Sequence, residues 1–331
     1  MDAVIAAGWT AVAHRVSGPT GEPVDATFAV SGGRAVVELA EASGLALSGT
    51  SPRPLTATTF GTGELIRAAL DEGCRTIVLG VGGSATTDGG AGLLQALGAR
   101  LLDDQDRELP PGGAALRQLS RVDLGGLDRR LGESTLTLAS DVDNPLLGPA
   151  GAAAVFGPQK GADDGDVAVL EAGLRRWADR IASATGADLS EQPGAGAAGG
   201  TGFAALAVLG ASMRPGIDVV LDEIAADRRL AGARLVVVGE GRLDEQSLRG
   251  KAPVGVARRT PRGVPVVAVS GDCTVDERRL REAGISGSET LLAAAGGDRA
   301  VAMSAAARLL GDVGRRLLDS WPAAGTGPVP R

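Results

Sequence analysis

Histidine is nearly missing from this 331-residue chain. His14 is the only one, so a multi-histidine metal centre cannot be built, and any Ser-His-Asp or Cys-His mechanism would have to run through that single residue. Two cysteines, Cys74 and Cys273, are too few for a disulfide framework. Tyrosine is absent and aromatic residues make up only 2% of the chain, with no interleaving of aromatic and basic residues; together with a net charge of −7 this excludes a nucleic-acid-binding reading. No apolar run reaches the ~20 residues needed to span a membrane, and the N-terminus lacks the basic and apolar regions of a signal peptide. A cytoplasmic α/β protein is expected. Lysine is scarce too: Lys160 and Lys251 stand against 31 arginines.

What is present is ample apolar material, 44% of the chain, and 51 glycines. The length suits one large or two medium domains, each with its own core. Short β-branched runs at 76–81, 235–238 and 264–269 read as strands buried on both faces, as in a parallel sheet. Helical patterns lie at 64–70, 90–102, 167–184, 278–283 and 300–318, and the alternation predicts α/β layering. Before them, runs at 15–24, 27–30 and 35–39 broken by Gly-Pro and Gly-Gly turns predict a β-meander. The Pro/Gly-rich tail 321–331 is expected to be disordered. The Gly/Ala-rich stretch from Pro193 to Gly202 reads either as a mobile, ligand-approaching loop or as compositional bias.

Four segments carry polar chemistry. From Gly80 to Gly92, six glycines end a strand and open a predicted helix. There Gly82 and Gly83 would let backbone N–H groups approach an anion, Ser84 and Thr86 would donate hydroxyls, and Asp88 would hold Mg²⁺ or cap the helix. In the second segment, beginning at Phe60, Thr62 reads as a helix cap. The third places Asp141, Asp143 and Asn144 after the strand 135–139, where open α/β sheets collect ligands, although Asx residues before Pro145 also make ordinary turns. Lys160 follows in Phe156-Gly157-Pro158-Gln159-Lys160-Gly161. The fourth sets Glu240, Arg242, Asp244, Gln246 and Lys251 within a dozen residues of a strand end. In an arginine-biased chain, a retained lysine points to a position that calls for a compact ammonium; chance retention is the other reading. Phosphoryl transfer fits this inventory, because it needs carboxylates for Mg²⁺, cations for the phosphates and an acid to orient a hydroxyl, and no histidine.

The same segments, with Thr58 to Ile66 and Pro193 to Gly200 in order along residues 3 to 315, resemble the bacterial glycerate kinase family. The resemblance implies ATP-dependent phosphorylation of D-glycerate, typically at C2, with Mg²⁺. It implies two unlike α/β domains, one inserted in the other, with a ligand cleft between them. The domains would be 1–204 and a flavodoxin- or Rossmann-like 205–320, and a homodimer is one expected assembly. By role, Asp244, Lys251 and Asp143 become candidate catalytic residues. Gly82, Gly83, Ser84, Thr86, Asn144, Lys160, Glu240, Arg242 and Gln246 would bind substrate or phosphate, and Asp88 and Asp141 would bind metal. The family's opening strand and its Asp-Ser-Phe-Lys-Gly-Ser and Asp-Gly-Gly-Glu-Gly-Thr loops are not matched, so the chain is expected to start after them. The alternative is accordingly a catalytically impaired remnant that binds small hydroxy acids or nucleotide without turnover.

Overall fold

The computed structural model describes residues 1–49 and 52–320; the tail 321–331, expected to be disordered, lies outside the described residues. The chain divides into two unlike α/β units, Met1–Val219 and Val220–Arg331.

In the first unit the β-meander forms as expected. Strands β1 (Thr10–Ser17), β2 (Pro23–Ser31) and β3 (Arg34–Glu38) pair antiparallel across glycine turns. The sheet then turns parallel: β4 (Thr76–Gly80) lies between β3 and β7 (Thr135–Ala139), and β8 (Ser212–Arg214) closes the order β1-β2-β3-β4-β7-β8. Ile77, Val78 and Leu79 are all buried, which is why the middle strand reads as a continuous apolar run. β8 pairs with β7 and so belongs to this unit, placing the division later than residue 204.

Two helices frame the site of this unit. Phe60–Asp71 starts after Thr59, with Thr62 inside it; the Thr62 hydroxyl donates to Ser43 Oγ rather than capping. Asp164–Thr185 is set at its start by a reciprocal capping box between Asp163 and Asp166 and at its end by Gly186 in a left-handed conformation. Its Leu170, Leu174, Trp177, Ala178 and Ile181 fall at helical spacing on one buried stripe. The helix expected over 90–102 is shorter, Ala91–Ala96. Gly98 (φ 105°) ends the pattern, and Arg100–Leu102 becomes a strand, β5, antiparallel to β6 (Arg121–Asp123). Apolar spacing alone could not separate a helix from a short helix followed by a buried strand.

The second unit has a three-stranded parallel sheet, β11-β10-β9, from β9 (Val236–Leu243), β10 (Val266–Cys273) and β11 (Gly287–Thr290). Helices cover both faces. Val236, Val238, Val266 and Ala268 pack with Val254, Ala257, Leu280 and Ile285, while Val267 and Val269 pack with Leu291, Leu309, Val313 and Leu317. The helix expected over 300–318 is two, Arg299–Ser304 and Ala306–Ser320, broken at Ala305.

Candidate active site

Polar residues gather at the carboxyl ends of parallel strands in each unit. In the first unit the loop after β4 folds inward. The Asp88 carboxylate accepts from Thr59 N (2.8 Å), Thr59 Oγ1 (2.9 Å), Gly90 N (3.1 Å) and Gly92 N (3.2 Å). Burial pushes its pKa up, against the pull of those donors. The Thr59 hydroxyl also accepts from Leu93 N, so one threonine ties the loop to the helix behind it. Asp88 is thus filled by four protein donors and does not fit as a ligand for Mg²⁺; it closes the loop, in keeping with a capping role.

Lys160 reaches the same loop from a 3₁₀ turn, Pro158–Lys160, and is only 3% exposed. Its ammonium donates to Thr86 O at 2.6 Å and to Ser84 Oγ at 3.4 Å. Ser84 Oγ also accepts from Thr86 N at 3.1 Å. Desolvation brings the Lys160 pKa down to about 8, partly opposed by the charge of Asp88. Ser84, Thr86 and Lys160 therefore meet as expected, but they are buried against one another instead of facing a ligand; Gly82 and Gly83 are the exposed part of the loop.

The Gly/Ala-rich stretch explains itself here. It enters the helix Ala197–Ala207, whose Ala198, Gly199 and Gly200 are left-handed. Gly89 N donates to Gly199 O at 2.9 Å, and a Cβ on Gly199 would lie 1.9 Å from Thr86 O. Only glycine lets the two backbones come this close. The stretch packs on the loop.

Beyond β7, Asp141 and Asp143 are exposed. Asp141 accepts from Gly216 N at 2.9 Å, and Asn144 donates from Nδ2 to Ala150 O at 2.8 Å. Asp143 has no hydrogen bond among the described residues.

In the second unit β9 delivers Glu240 and Arg242, and Lys251 precedes the helix Ala252–Arg259. Lys251 Nζ lies 3.7 Å from Glu240 Oε1, with the two side chains 46% and 22% exposed. Glu240 Oε2 is buried and has no hydrogen-bond partner. Asp244 is committed to its own turn: it accepts from Gln246 N (2.9 Å) and Ser247 N (3.1 Å). The Ser247 N–H above all, with Gln246 N–H and the Lys251 charge, holds the Asp244 carboxyl below its usual range. Asp244 is thus held in its charged form within its own turn. Gln246 is exposed and contributes its backbone N–H alone.

Asp272 and Arg299, 3.4 Å apart beside Arg242, fall outside the candidates that the sequence suggests. A signal for Asp272 does exist: Ser270-Gly271-Asp272 after one strand mirrors Gly239-Glu240-Gly241-Arg242 after its parallel neighbour. Among the described residues no group of three or more His, Cys, Asp or Glu is placed to hold a metal ion, and no helix is long and apolar enough to cross a membrane.

Comparison with known proteins gives this arrangement a family. The chain is 49% identical over 274 residues to a glycerate kinase of Bacillus subtilis (strain 168), an alignment covering 82% of this chain and 72% of that protein. It is 43% identical over 301 residues to a glycerate 2-kinase of Escherichia coli (strain K12), covering 89% and 79%. A crystal structure of a protein assigned as glycerate kinase 2 from Salmonella typhimurium LT2 superposes with a TM-score of 0.78 at 41% identity, covering 95% of this chain and 85% of that one. The model of the glycerate kinase family matches residues 1–322, and the chain belongs to that family.

Proposed function

We propose that this kinase transfers the terminal phosphoryl group of ATP to the C2 hydroxyl of D-glycerate, giving 2-phosphoglycerate and ADP, in the cytoplasm where ATP is supplied. The observation that carries this reading is the Glu240–Lys251 pair at the carboxyl end of β9, with one carboxylate oxygen buried and unpartnered. The relatives named above support the same substrate.

In this reading Lys251 and Arg242 neutralise charge on the phosphates as the bond from the γ-phosphorus to the bridging oxygen of ADP breaks. The new bond forms from the C2 oxygen of glycerate, and its proton passes to a carboxylate. Asp143, exposed and free of hydrogen bonds among the described residues, remains a candidate proton acceptor on the first unit. Glu240, whose Oε2 is buried and without a partner, would be a ligand for Mg²⁺, which when bound would offset phosphate charge. Within the first unit, Lys160, Ser84 and Thr86 hold the shape of the loop whose Gly82 and Gly83 are exposed.

An ADP-release assay with D-glycerate, ATP and Mg²⁺ tests the proposal, with the product identified by phosphorus NMR. Turnover to the 2-phosphate is expected, and Lys251→Met is expected to lower kcat by about 10²–10³. A 3-phosphate product would overturn the regiochemistry. Glycerate or nucleotide binding without any ADP release would favour the impaired-remnant reading.

A further inference from the structure

The face of the second sheet that carries Val237, Val267 and Val269 changes character toward its carboxyl end. There the same face continues as Gly239, Gly241 and Gly271. With no side chains the strands leave a hollow of about 290 Å³ under the helices that follow β11. Gly271 is needed for the strands to fit, since a Cβ on it would meet Gly241 O at 2.6 Å. Gly241 is different: a Cβ there would meet nothing within 4 Å, so the hollow is open space over this residue.

The opposite wall is apolar, from Leu291, Ala302, Met303 and Ala306. Met303 is 77% exposed, a large apolar side chain left at the mouth. The rim is cationic: Arg299, paired at 3.4 Å with Asp272, and Arg242, which follows Gly241 and stands on β9 beyond Glu240. A bare-backbone floor, an apolar wall and arginines at one edge suit a flat heterocycle that carries an anionic tail. Carboxyl ends of parallel strands are where such ligands settle in open α/β sheets.

We propose that this hollow is the purine-nucleotide site, with the base between the glycine floor and the Leu291–Met303 wall and the phosphates at Arg242. The inference rests on the kinase reading for the identity of the nucleotide, but it places that nucleotide on the second unit by the unit's own geometry. Few polar groups line the wall, so purines are expected to bind with little discrimination between adenine and guanine.

The full chain is titrated calorimetrically with ADP in the presence of Mg²⁺, alongside Gly241→Val and Ala306→Leu. Both variants fill the hollow with residues suited to a strand and a helix, and thermal unfolding checks that each retains the fold. ADP binding by the parent chain, weakened about tenfold or more by either folded variant, is expected; in turnover the KM for ATP should rise while that for glycerate stays within about twofold. Unchanged ADP affinity in both folded variants would overturn the site, as would inorganic tripolyphosphate binding as tightly as ADP or no ADP binding at all. The two readings fail separately. Variant-sensitive ADP binding without glycerate turnover keeps this site and removes the kinase proposal; turnover with variant-insensitive ADP binding does the reverse.

Discussion

Lys160 is a cation folded into a place where no carboxylate touches it. Its ordinary pKa of 10.5 falls to about 8 because burial favours the neutral amine. The depressed value of a basic group means that the folded state carries a penalty, complete below about pH 8, that fades as the pH rises toward 10.5. Urea unfolding of the parent chain should therefore gain stability across that window relative to Lys160→Met, by roughly 3 kcal/mol in all. A difference that is flat with pH would mean the lysine is not desolvated. Gly199 makes a second test at this scale. Alanine there combines a left-handed backbone with a Cβ 1.9 Å from Thr86 O, so the loop or the helix must move. Gly199→Ala is expected to destabilise by more than about 3 kcal/mol, read from denaturant midpoints at unchanged slope.

At the scale of elements, the glycine loop after β4 is held by parts far apart in sequence. Trp177 Nε1 donates to Gly89 O at 2.9 Å from the middle of the Asp164–Thr185 helix, Lys160 holds Thr86, and Thr59 holds Asp88. Trp177→Phe keeps most of the buried ring but leaves the Gly89 carbonyl without its donor. A loss of about 1–3 kcal/mol is expected in thermal or urea unfolding. The same helix shows how much an element reveals of itself. Its apolar spacing and its Asp163 and Asp166 start signals are local, and it forms where the pattern predicts. The segment 90–102 behaves otherwise because β5 exists only where β6 comes to pair with it. The sequence also marks Ser84, Thr86, Asp88 and Lys160 as polar residues set among glycines. It cannot show that they point at one another, since Lys160 meets its partners across more than seventy positions.

For the whole molecule, the two units differ in how far their sheets are protected. β4 lies between two paired strands and has helices packed on it, whereas β9 pairs, among the described residues, with β10 alone. Amide hydrogen exchange should follow this: slow along 76–80, and fast at those amides of 236–243 that do not face β10. Uniform protection along β9 would contradict the edge placement.

The sequence by itself determined the alternation of strands and helices, the meander, the family, and the exclusion of a multi-histidine metal centre. These depend on local periodicity, on glycine and proline punctuation, and on which residue types are present at all. Only the tertiary structure decided which polar residues face inward. Asp88 and Lys160 are filled or covered by groups from distant segments, Asp244 is spent on its own turn, and Glu240 keeps a free oxygen beside Lys251. A one-dimensional pattern records the side chain a position carries; whether that side chain meets a donor or is left free to act depends on what the fold brings against it.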